Sequence, residues 1–242
     1  MLPATGEEAI GEIRAIFSDV GGVLGTNGWD HDQRTAAVKQ FGLDPEEFRS
    51  RHELVVTAFE TGRLTLEDYL ERTVFYRQRP FTLEAFRDFM FSQSKPYPES
   101  LAVLEGVARS GGYLLATLNN ESLELNLHRI RAFNLSRIFK LFPSSCFVGV
   151  KKPDAGIYRL ALQLTQQEPA RCVFIDDRAL DLECAGNVGM QTFSFKPQVS
   201  SRLNFAGSAS RPSVVFLKRM TPNLRPAVMH CLGIGRRTAW IA

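Results

Sequence analysis

Residues 15–24, AIFSDVGGVL, are the stretch that decides the fold of this 242-residue chain. The apolar first half is typical of a buried strand, and Asp19 follows with the glycines Gly21 and Gly22, which let the backbone turn sharply. Ligands of open parallel α/β sheets bind beyond the carboxyl ends of the strands. The stretch therefore predicts a carboxylate at the mouth of such a sheet, as a nucleophile or a metal ligand. Taken alone, the fragment is also typical of a buried strand in which Asp19 only begins a glycine turn.

Three later segments carry polar residues in positions that suit the same edge of a sheet. Residues 113–120, YLLATLNN, form a second apolar strand pattern that ends in side-chain amides. Residues 171–178, RCVFIDDR, form a β-rich run that ends in paired carboxylates. Between them, residues 150–158, VKKPDAGIY, place Lys152 before a proline at the expected start of a helix.

In this order and spacing the four segments resemble the motifs of the haloacid dehalogenase superfamily, which consists mostly of magnesium-dependent phosphatases. The resemblance covers roughly residues 13–195. The ordered set is much more specific than any one of its members. It implies an α/β fold, with a Rossmann-like parallel sheet as the core and an inserted helical cap, and it implies a hydrolase.

The resemblance also implies covalent catalysis by Asp19. A phosphoryl group is surrounded by its own negative oxygens, so a divalent cation and a lysine must neutralise charge before a carboxylate attacks. An aspartyl-phosphate intermediate splits one difficult displacement into two easier ones. Lys152 matches the lysine of the family motif, and its point charge suits both the phosphate oxygens and Asp19. We expect the neighbouring Lys151 to face solvent, because alternate residues of an extended segment point to opposite sides.

The expected cofactor is Mg²⁺. Hard oxygen ligands would come from the Asp19 carboxylate, the Gly21 carbonyl and the Asp176–Asp177 pair, and magnesium would keep several waters. The resemblance implies Asp177 as the direct ligand and Asp176 as its neighbour. Two adjacent carboxylates at a strand end are also costly without a cation between them and Asp19. The structural alternative is a pair of acids that caps the next helix and offsets its dipole.

The chain departs from the phosphatase pattern at two positions. Gly21 stands where these phosphatases usually carry a second Asp, the general acid and base. Acid–base help is typically worth ~10²–10⁴-fold, so slow turnover is expected unless the leaving group is good. Asn119 stands where a Ser or Thr usually precedes Asn120. An amide still donates a hydrogen bond to a phosphate oxygen, so we expect Asn119, Asn120 and Lys152 to bind substrate, with Thr117 as the second choice for the first of these roles.

A nucleophilic Asp without an acid two residues later also occurs in the dehalogenase branch of the superfamily. There the Asp attacks a carbon–halogen bond without a metal. Asp176 and Asp177 argue against that branch, because a metal-free site for an anionic haloacid gains nothing from additional carboxylates.

Residues 26–96 interrupt the alternation of strands and helices with helical patterns only. Asp44-Pro45-Glu46-Glu47 predicts a helix start, and Gly62 predicts the end of that helix. Thr65-Leu66-Glu67-Asp68 resembles a capping box, and a further helix is expected from Thr82. A helical insert at this place looks like the small cap that covers many active sites of the superfamily, and such caps exclude water and select substrates.

The expected organisation is set by this insert. The hydrolase core comprises residues 1–25 and 97–205, and the helical cap comprises residues 26–96. Beyond Glu183 the chain carries basic residues but no acidic one. Because residues 206–242 show little helical periodicity and no nucleic-acid motif, we expect a divergent, poorly ordered tail rather than a binding arm.

Composition is consistent with this placement. With 242 residues, of which 44% are hydrophobic, the chain is long enough to bury roughly 70–75% of its unfolded surface. No apolar run reaches the ~18 residues of a membrane span, and acids stand near the start where a signal peptide is basic and then apolar. We therefore expect a cytoplasmic protein with reduced cysteines and no membrane partner. The histidines, including His52, are expected at the surface or in an interface.

The predicted function is magnesium-dependent hydrolysis of a small phosphate monoester through an aspartyl-phosphate on Asp19. The expected partner is a small phosphorylated metabolite and not nucleic acid. Two alternatives stay open: a metal-free 2-haloacid dehalogenase, and a catalytically weakened family member that binds a phosphorylated ligand or a protein.

Overall fold

The structure, a computed structural model, describes residues 12–196. Its strands are β1 (Ala15–Ser18), β2 (Leu114–Thr117), β3 (Cys172–Asp176) and β4 (Gln191–Ser194). All neighbouring strands are parallel, and their order in the sheet is β2-β1-β3-β4. The predicted α/β fold with a Rossmann-like parallel sheet is therefore confirmed. The expected end of the core at residue 205 and the tail of residues 206–242 lie outside the described residues.

Helices connect and cover the strands. They are α1 (His31–Phe41), α2 (Pro45–Glu60), α3 (Leu66–Thr73), α4 (Leu83–Ser92), α5 (Pro98–Ser110), α6 (Leu123–Ala132), α7 (Ser145–Val148), α8 (Ala155–Thr165) and α9 (Ala179–Asn187). Short 3₁₀ turns occupy Leu135–Arg137 and Pro169–Arg171. Across residues 12–196, every helix is too short or too polar to cross a membrane.

Both faces of the sheet are buried, as parallel sheets require. Side chains alternate along β1, so that Ile16 joins one apolar cluster and Phe17 joins the other. The first cluster packs against α5 through Val103 and Val107. The second packs against α8 through Ile157 and Ala161. These two layers hold the carboxyl ends of β1 and β3 at fixed positions.

The helical spacing of Ile157, Leu160, Ala161 and Leu164 predicts an apolar stripe on α8, and the structure confirms it only in part. Ile157 and Ala161 are completely buried, but Leu164 is 53% exposed. Helical periodicity predicts which side of a helix is apolar. How much of that side is buried depends on the elements that pack against it. Leu164 lies beyond the covered part.

Helices α1–α4, which we call the helical insert, follow β1 and precede α5. They share an apolar core of their own, which includes Trp29, Phe59, Tyr69 and Phe86. The predicted start of α2 is confirmed, because Pro45 occupies its first turn and the Asp44 side chain accepts from the backbone N–H of Glu47 at 2.8 Å.

The capping box predicted at the start of α3 is also present. The backbone N–H of Asp68 donates to Oγ1 of Thr65, and the backbone N–H of Thr65 donates back to the Asp68 carboxylate. Both helix starts arise from local sequence because capping satisfies backbone N–H groups that have no partner within the helix. Local chemistry therefore sets where these helices begin.

A buried hydrogen-bonded network crosses the helical insert. His52 is only 6% exposed, so the expectation of a surface or interface position is wrong for this histidine. Nε1 of Trp29 donates to the Tyr69 hydroxyl at 2.9 Å, and that hydroxyl lies 2.8 Å from Nδ1 of His52. Because an indole N–H only donates, the phenolic proton is left to point at His52, whose Nδ1 then accepts. Burial is the main reason that the pKa of His52 falls from 6.5 to about 4.

This network predicts a pH-dependent loss of stability. Between pH 6.5 and 4 the unfolded state binds a proton at His52 that the folded state does not. The free energy of unfolding therefore decreases as the pH is lowered through this range. The loss from this one group is about 2 kcal/mol at pH 5. Denaturant unfolding of the wild type and of His52→Gln at pH 7.5 and pH 5 measures it.

The wild type should lose more stability than His52→Gln by about that amount. A matched control is His31→Gln, because His31 lies in the insert but is exposed. Equal losses in the wild type and His52→Gln would show that His52 is not held neutral.

Candidate active site

The site lies where the direction of chain connections changes in the sheet. After β1 the chain moves to β2 on one side, and it then crosses to β3 on the other side of β1. Such a switch point leaves a crevice at the carboxyl ends of the two strands. Asp19 directly follows β1, and its backbone N–H donates to the carbonyl of Ile175 at 2.8 Å. Asp176 is the last residue of β3 and Asp177 follows it, so the topology brings the carboxylates of two distant segments together.

A tight turn follows Asp19 and packs on Asp177. The N–H of Leu24 donates to the Val20 carbonyl at 2.9 Å, and the N–H of Gly22 donates to the Gly25 carbonyl at 2.8 Å. Gly22 has a φ of +71°, and a Cβ atom there would lie 2.1 Å from Oδ2 of Asp177. Only glycine meets both the conformation and the contact, so this residue lets the Asp177 carboxylate approach the turn.

Lys152 stands at the centre of the carboxylates. Its Nζ lies 2.5 Å from Oδ2 of Asp176, 3.3 Å from Oδ1 of Asp19 and 3.6 Å from Oδ2 of Asp181. The side chain is 2% exposed. Burial alone would lower the pKa of Lys152, but the three carboxylates outweigh it and the pKa is raised. The ammonium is therefore a permanent charge at neutral pH.

Asp19, Asp176 and Asp177 form a cluster that could hold a metal ion, with ligand oxygens within 4.8 Å of one another. Both oxygens of Asp176 have partners, since Oδ2 faces Lys152 and Oδ1 accepts from the backbone N–H of Arg178 at 2.8 Å. Oδ1 of Asp177 is different, because it is buried and has no hydrogen-bond partner among the described residues. A buried carboxylate oxygen without a partner is costly, and a divalent cation would satisfy it. The residues present thus fit Mg²⁺.

Electrostatics point in the same direction. Burial is the main reason that the pKa of Asp19 is raised, with Lys152 opposing and Asp176 adding to the shift. Burial and the adjacent Asp176 also raise the pKa of Asp177. Carboxylates that are hard to ionise together are stabilised as anions by a bound cation. The one ammonium of Lys152 does not balance the three carboxylates of the cluster, and a divalent cation would supply the missing charge.

Asn120 lies against Lys152 and Asn119 precedes it in the chain, but both amides have partners within the protein. Nδ2 of Asn120 donates to the Lys152 carbonyl at 2.9 Å, and Oδ1 of Asn120 accepts from the Lys152 N–H at 2.8 Å. Nδ2 of Asn119 donates to Asn126 at 3.1 Å, and its Oδ1 accepts from Ser144 at 2.8 Å. Asn120 therefore holds the backbone of Lys152, and substrate binding by the two amides stays a prediction.

The helical insert reaches the rim of the site through two ion pairs. Lys151 pairs with Glu60 at the end of α2, so the expectation that Lys151 faces solvent is wrong. Arg178, which follows Asp177, donates through Nη2 to Oδ2 of Asp30 at 2.6 Å. Each basic residue is adjacent in sequence to a residue of the carboxylate cluster or to its lysine. The insert is thus held over the carboxyl ends of the strands.

Sequence reasoning missed three residues of this region. Asp181 lies in the first turn of α9, the helix that follows Asp177, and its Oδ2 is 3.6 Å from Nζ of Lys152. Glu121 and Arg129 form a buried ion pair, with Nε of Arg129 3.7 Å from Oε2 of Glu121. Burial raises the pKa of Glu121 to about 7, although Arg129 opposes the shift. An acid in the first turn of the helix after β3 was a usable signal for Asp181. No local pattern indicates that Glu121 and Arg129 contact the segment after β1.

Curated relatives include hydrolases and a dehalogenase. The chain is 27% identical over 157 residues to flavin mononucleotide hydrolase 1 of Arabidopsis thaliana, covering 64% of this chain and 63% of that protein. It is 29% identical over 108 residues to (S)-2-haloacid dehalogenase 4A of Burkholderia cepacia, covering 45% of this chain and 46% of that protein. The chain therefore spans less than two thirds of either relative.

Solved structures share the fold. A HAD family enzyme of Bacteroides thetaiotaomicron superposes with a TM-score of 0.67 at 18% identity, covering 79% of this chain and 97% of that one. The same enzyme has been crystallised with magnesium and inorganic phosphate, and that structure superposes with a TM-score of 0.62 at 17% identity over the same shares of the two chains.

The sequence also matches a family model along most of its length. The matching model is that of the haloacid dehalogenase-like hydrolases, and the match covers residues 8–189, which include every residue of the carboxylate cluster. The chain belongs to the family of haloacid dehalogenase-like hydrolases.

Proposed function

We propose that this hydrolase cleaves a small phosphate monoester in a magnesium-dependent reaction, through an aspartyl-phosphate on Asp19. Two observations carry the proposal together: Asp19, Asp176 and Asp177 have ligand oxygens within 4.8 Å of one another, and Oδ1 of Asp177 is buried without a hydrogen-bond partner among the described residues. A site that attacks a carbon–halogen bond without a metal has no use for that oxygen. The relatives include a flavin mononucleotide hydrolase and a haloacid dehalogenase, so family membership does not decide between the two reactions. The carboxylate oxygens of the site favour phosphoryl chemistry.

Each residue of the site has a distinct role in this proposal. Asp19 attacks phosphorus through a carboxylate oxygen, and Lys152 neutralises charge on Asp19 and on the phosphoryl oxygens. Asp19, the Gly21 carbonyl and Asp177 would hold Mg²⁺, which supplies Lewis-acid charge neutralisation when bound. Asp176 fixes the ammonium of Lys152, and Asp181 supports it from α9. Asn120 positions the backbone that carries Lys152.

We further propose that residues 26–96 act as a cap on a core of residues 1–25 and 97–205. Support comes from the separate apolar core of the helical insert and from its two ion pairs at the rim of the site. A third contact joins the two parts, because Oγ of Ser145 on α7 donates to the Glu60 carbonyl at 2.6 Å. A cap in this place would exclude water and contact the leaving group of the substrate.

A screen of phosphorylated metabolites with and without Mg²⁺, with 2-haloacids as a parallel set, tests the function. Magnesium-dependent phosphate release supports the proposal. Halide release without magnesium would replace it with the dehalogenase alternative, and phosphate binding without any turnover would replace it with the binding-protein alternative. The substrate is expected to be small, because the insert lies directly on the strand ends.

The missing acid at Gly21 predicts a steep dependence on the leaving group. Without a group that protonates the departing oxygen, aryl and acyl phosphates should be cleaved ~10²-fold or more faster than alkyl phosphates. The values of kcat/KM for 4-nitrophenyl, phenyl and glycerol phosphate measure this. Equal rates across the series would show that another residue supplies the proton.

Gly21→Asp provides the complementary measurement. Gly21 is not among the glycines with positive φ, and a Cβ atom there would lie 3.3 Å from Oδ1 of Asn27, a tight contact that an exposed side chain can relieve. We expect the added carboxyl group to raise the rate on glycerol phosphate about tenfold, below the usual value of an acid–base group. An unchanged rate in a folded variant would show that position 21 does not face the leaving group.

A further inference from the structure

Arg129 on α6 is among the largest completely buried side chains of the described residues, and it is 2% exposed. An arginine is rarely buried unless its charge and its donors are matched. The carboxylate of Glu121 supplies the matching charge at 3.7 Å. This ion pair accounts for the burial of Arg129, but not for the directions in which its other donors point.

Two hydrogen bonds fix the guanidinium to both connections of the helical insert. Nη2 donates to the carbonyl of Thr26, in the connection from β1, and Nε donates to Oγ of Ser94, in the connection back to α5. A Cβ atom at Gly28 would lie 2.3 Å from Nη2, so the first connection fits closely around the guanidinium. The orientation of Arg129 is therefore set by the two segments that join the insert to the core.

The third guanidinium nitrogen, Nη1, is turned towards Gly21. It would lie 3.7 Å from a Cβ atom at that residue. The hydrogen bonds of Arg129 to other described residues use Nε and Nη2 as donors, and none of them uses Nη1. Its N–H groups are therefore available to a ligand, next to the backbone position from which a carboxyl group at residue 21 would reach the leaving group. A free N–H of a permanent cation faces the place where an acid is missing.

We propose that Arg129 is a specificity-determining residue, whose Nη1 stabilises the departing oxygen of the substrate as an anion. This rests on the proposed phosphatase function. Asp19 forms a bond to phosphorus, the bond from phosphorus to the leaving oxygen breaks, and the electron pair stays on that oxygen. The oxyanion leaves against Arg129 and takes its proton from water, and a second water then releases phosphate from Asp19.

The chemistry of the guanidinium defines the substrate class. Arginine stays charged in proteins and does not give up a proton at neutral pH, so it stabilises negative charge without protonating it. Because no group protonates the departing oxygen, the site favours phosphate esters whose leaving oxygen carries charge readily, namely aryl and acyl phosphates. Alkyl phosphates gain from Arg129 as well, and depend on it most, because their leaving oxygen develops the least stable charge.

The test compares phosphate esters with different leaving groups, and its main variant replaces both partners of the buried ion pair by neutral side chains. The double variant Arg129→Gln/Glu121→Gln removes both charges, so that neither partner is left buried alone. The matched control is Arg131→Gln, an exposed arginine on the same helix. For each protein kcat/KM is measured with Mg²⁺ on 2,4-dinitrophenyl, 4-nitrophenyl, phenyl and glycerol phosphate.

We expect the double variant to lose about 10²-fold on glycerol and phenyl phosphate, and less than about fivefold on 2,4-dinitrophenyl phosphate. The plot of log kcat/KM against leaving-group pKa thus becomes steeper, while the control keeps the wild-type slope. An equal loss on all four substrates would show a purely structural role and overturn the inference. Wild-type activity on every substrate would overturn it as well.

A conservative variant keeps the test decisive if the double variant does not fold. Arg129→Lys retains the charge but is expected to lose the geometry of Nη1, and it should steepen the slope by an intermediate amount. A wild-type slope in this variant would count against the inference. If the wild type itself cleaves no phosphate ester, the proposed function fails, whereas an active wild type with an unaltered slope in the variants refutes only the role of Arg129.

Discussion

Replacing Asp19 by asparagine should abolish phosphate release and leave the fold intact. The amide keeps the shape of the side chain but is not a nucleophile, so a loss of roughly 10⁴-fold or more in kcat is expected. Stability should change little, because burial already raises the pKa of Asp19 and makes its charge costly. Lys152 keeps Asp176 and Asp181 as partners when Asp19 is neutral.

Steady-state kinetics and thermal unfolding of Asp19→Asn measure the two parts of this prediction. A matched control is Asp32→Asn, which removes an exposed carboxylate from α1 and should leave kcat unchanged. Acid-quenched wild-type enzyme should also carry a phosphate adduct on Asp19 in peptide mass spectrometry. Most of the activity surviving in Asp19→Asn would rule out the covalent route.

Removal of magnesium should eliminate turnover, and Asp177→Ala should do nearly the same. Oδ1 of Asp177 has no hydrogen-bond partner within the described residues, so we expect this oxygen to bind the cation. We expect a loss of roughly 10³-fold in kcat/KM at moderate magnesium, as for loss of a major electrostatic contributor. Lys151→Ala should cost far less, because Lys151 contacts Glu60 of the insert and not the carboxylate cluster.

Binding of the metal provides a measurement that does not depend on turnover. Mg²⁺ should raise the midpoint of thermal unfolding in the wild type and in Lys151→Ala, because a ligand of the folded state stabilises it. The shift should be much smaller in Asp177→Ala. Activity that persists in chelator while haloacids are consumed would support the metal-free dehalogenase instead.

Much of this site was predictable because its chemistry is local. Asp19, Asp176 and Asp177 each end an apolar run, and parallel strands present their carboxyl ends at one edge of the sheet. Lys152 precedes a proline and a helix, a pattern that a single segment contains in full. The starts of α2 and α3 were predictable for the same reason, since Asp44 and Thr65 cap their own helices.

Other features depended on contacts between segments that are far apart in sequence. Lys151 was expected in solvent, but the end of α2 supplies Glu60 as its partner. His52 was expected at the surface, but Tyr69 and Trp29 close over it in the insert. Strand alternation and helical periodicity are patterns within one element, so they do not predict a contact with a residue of another element.

The sequence by itself therefore determined the fold class, the carboxylates and the lysine of the site, because apolar runs, caps and strand ends are properties of short segments. Only the tertiary structure decided what surrounds them. It placed Arg129, more than a hundred positions along the chain from Gly21, with Nη1 3.7 Å from where a side chain at that glycine would begin. It also left Oδ1 of Asp177 buried without a partner among the described residues. Both outcomes depend on how separate elements pack, and packing is fixed only when the whole fold is formed.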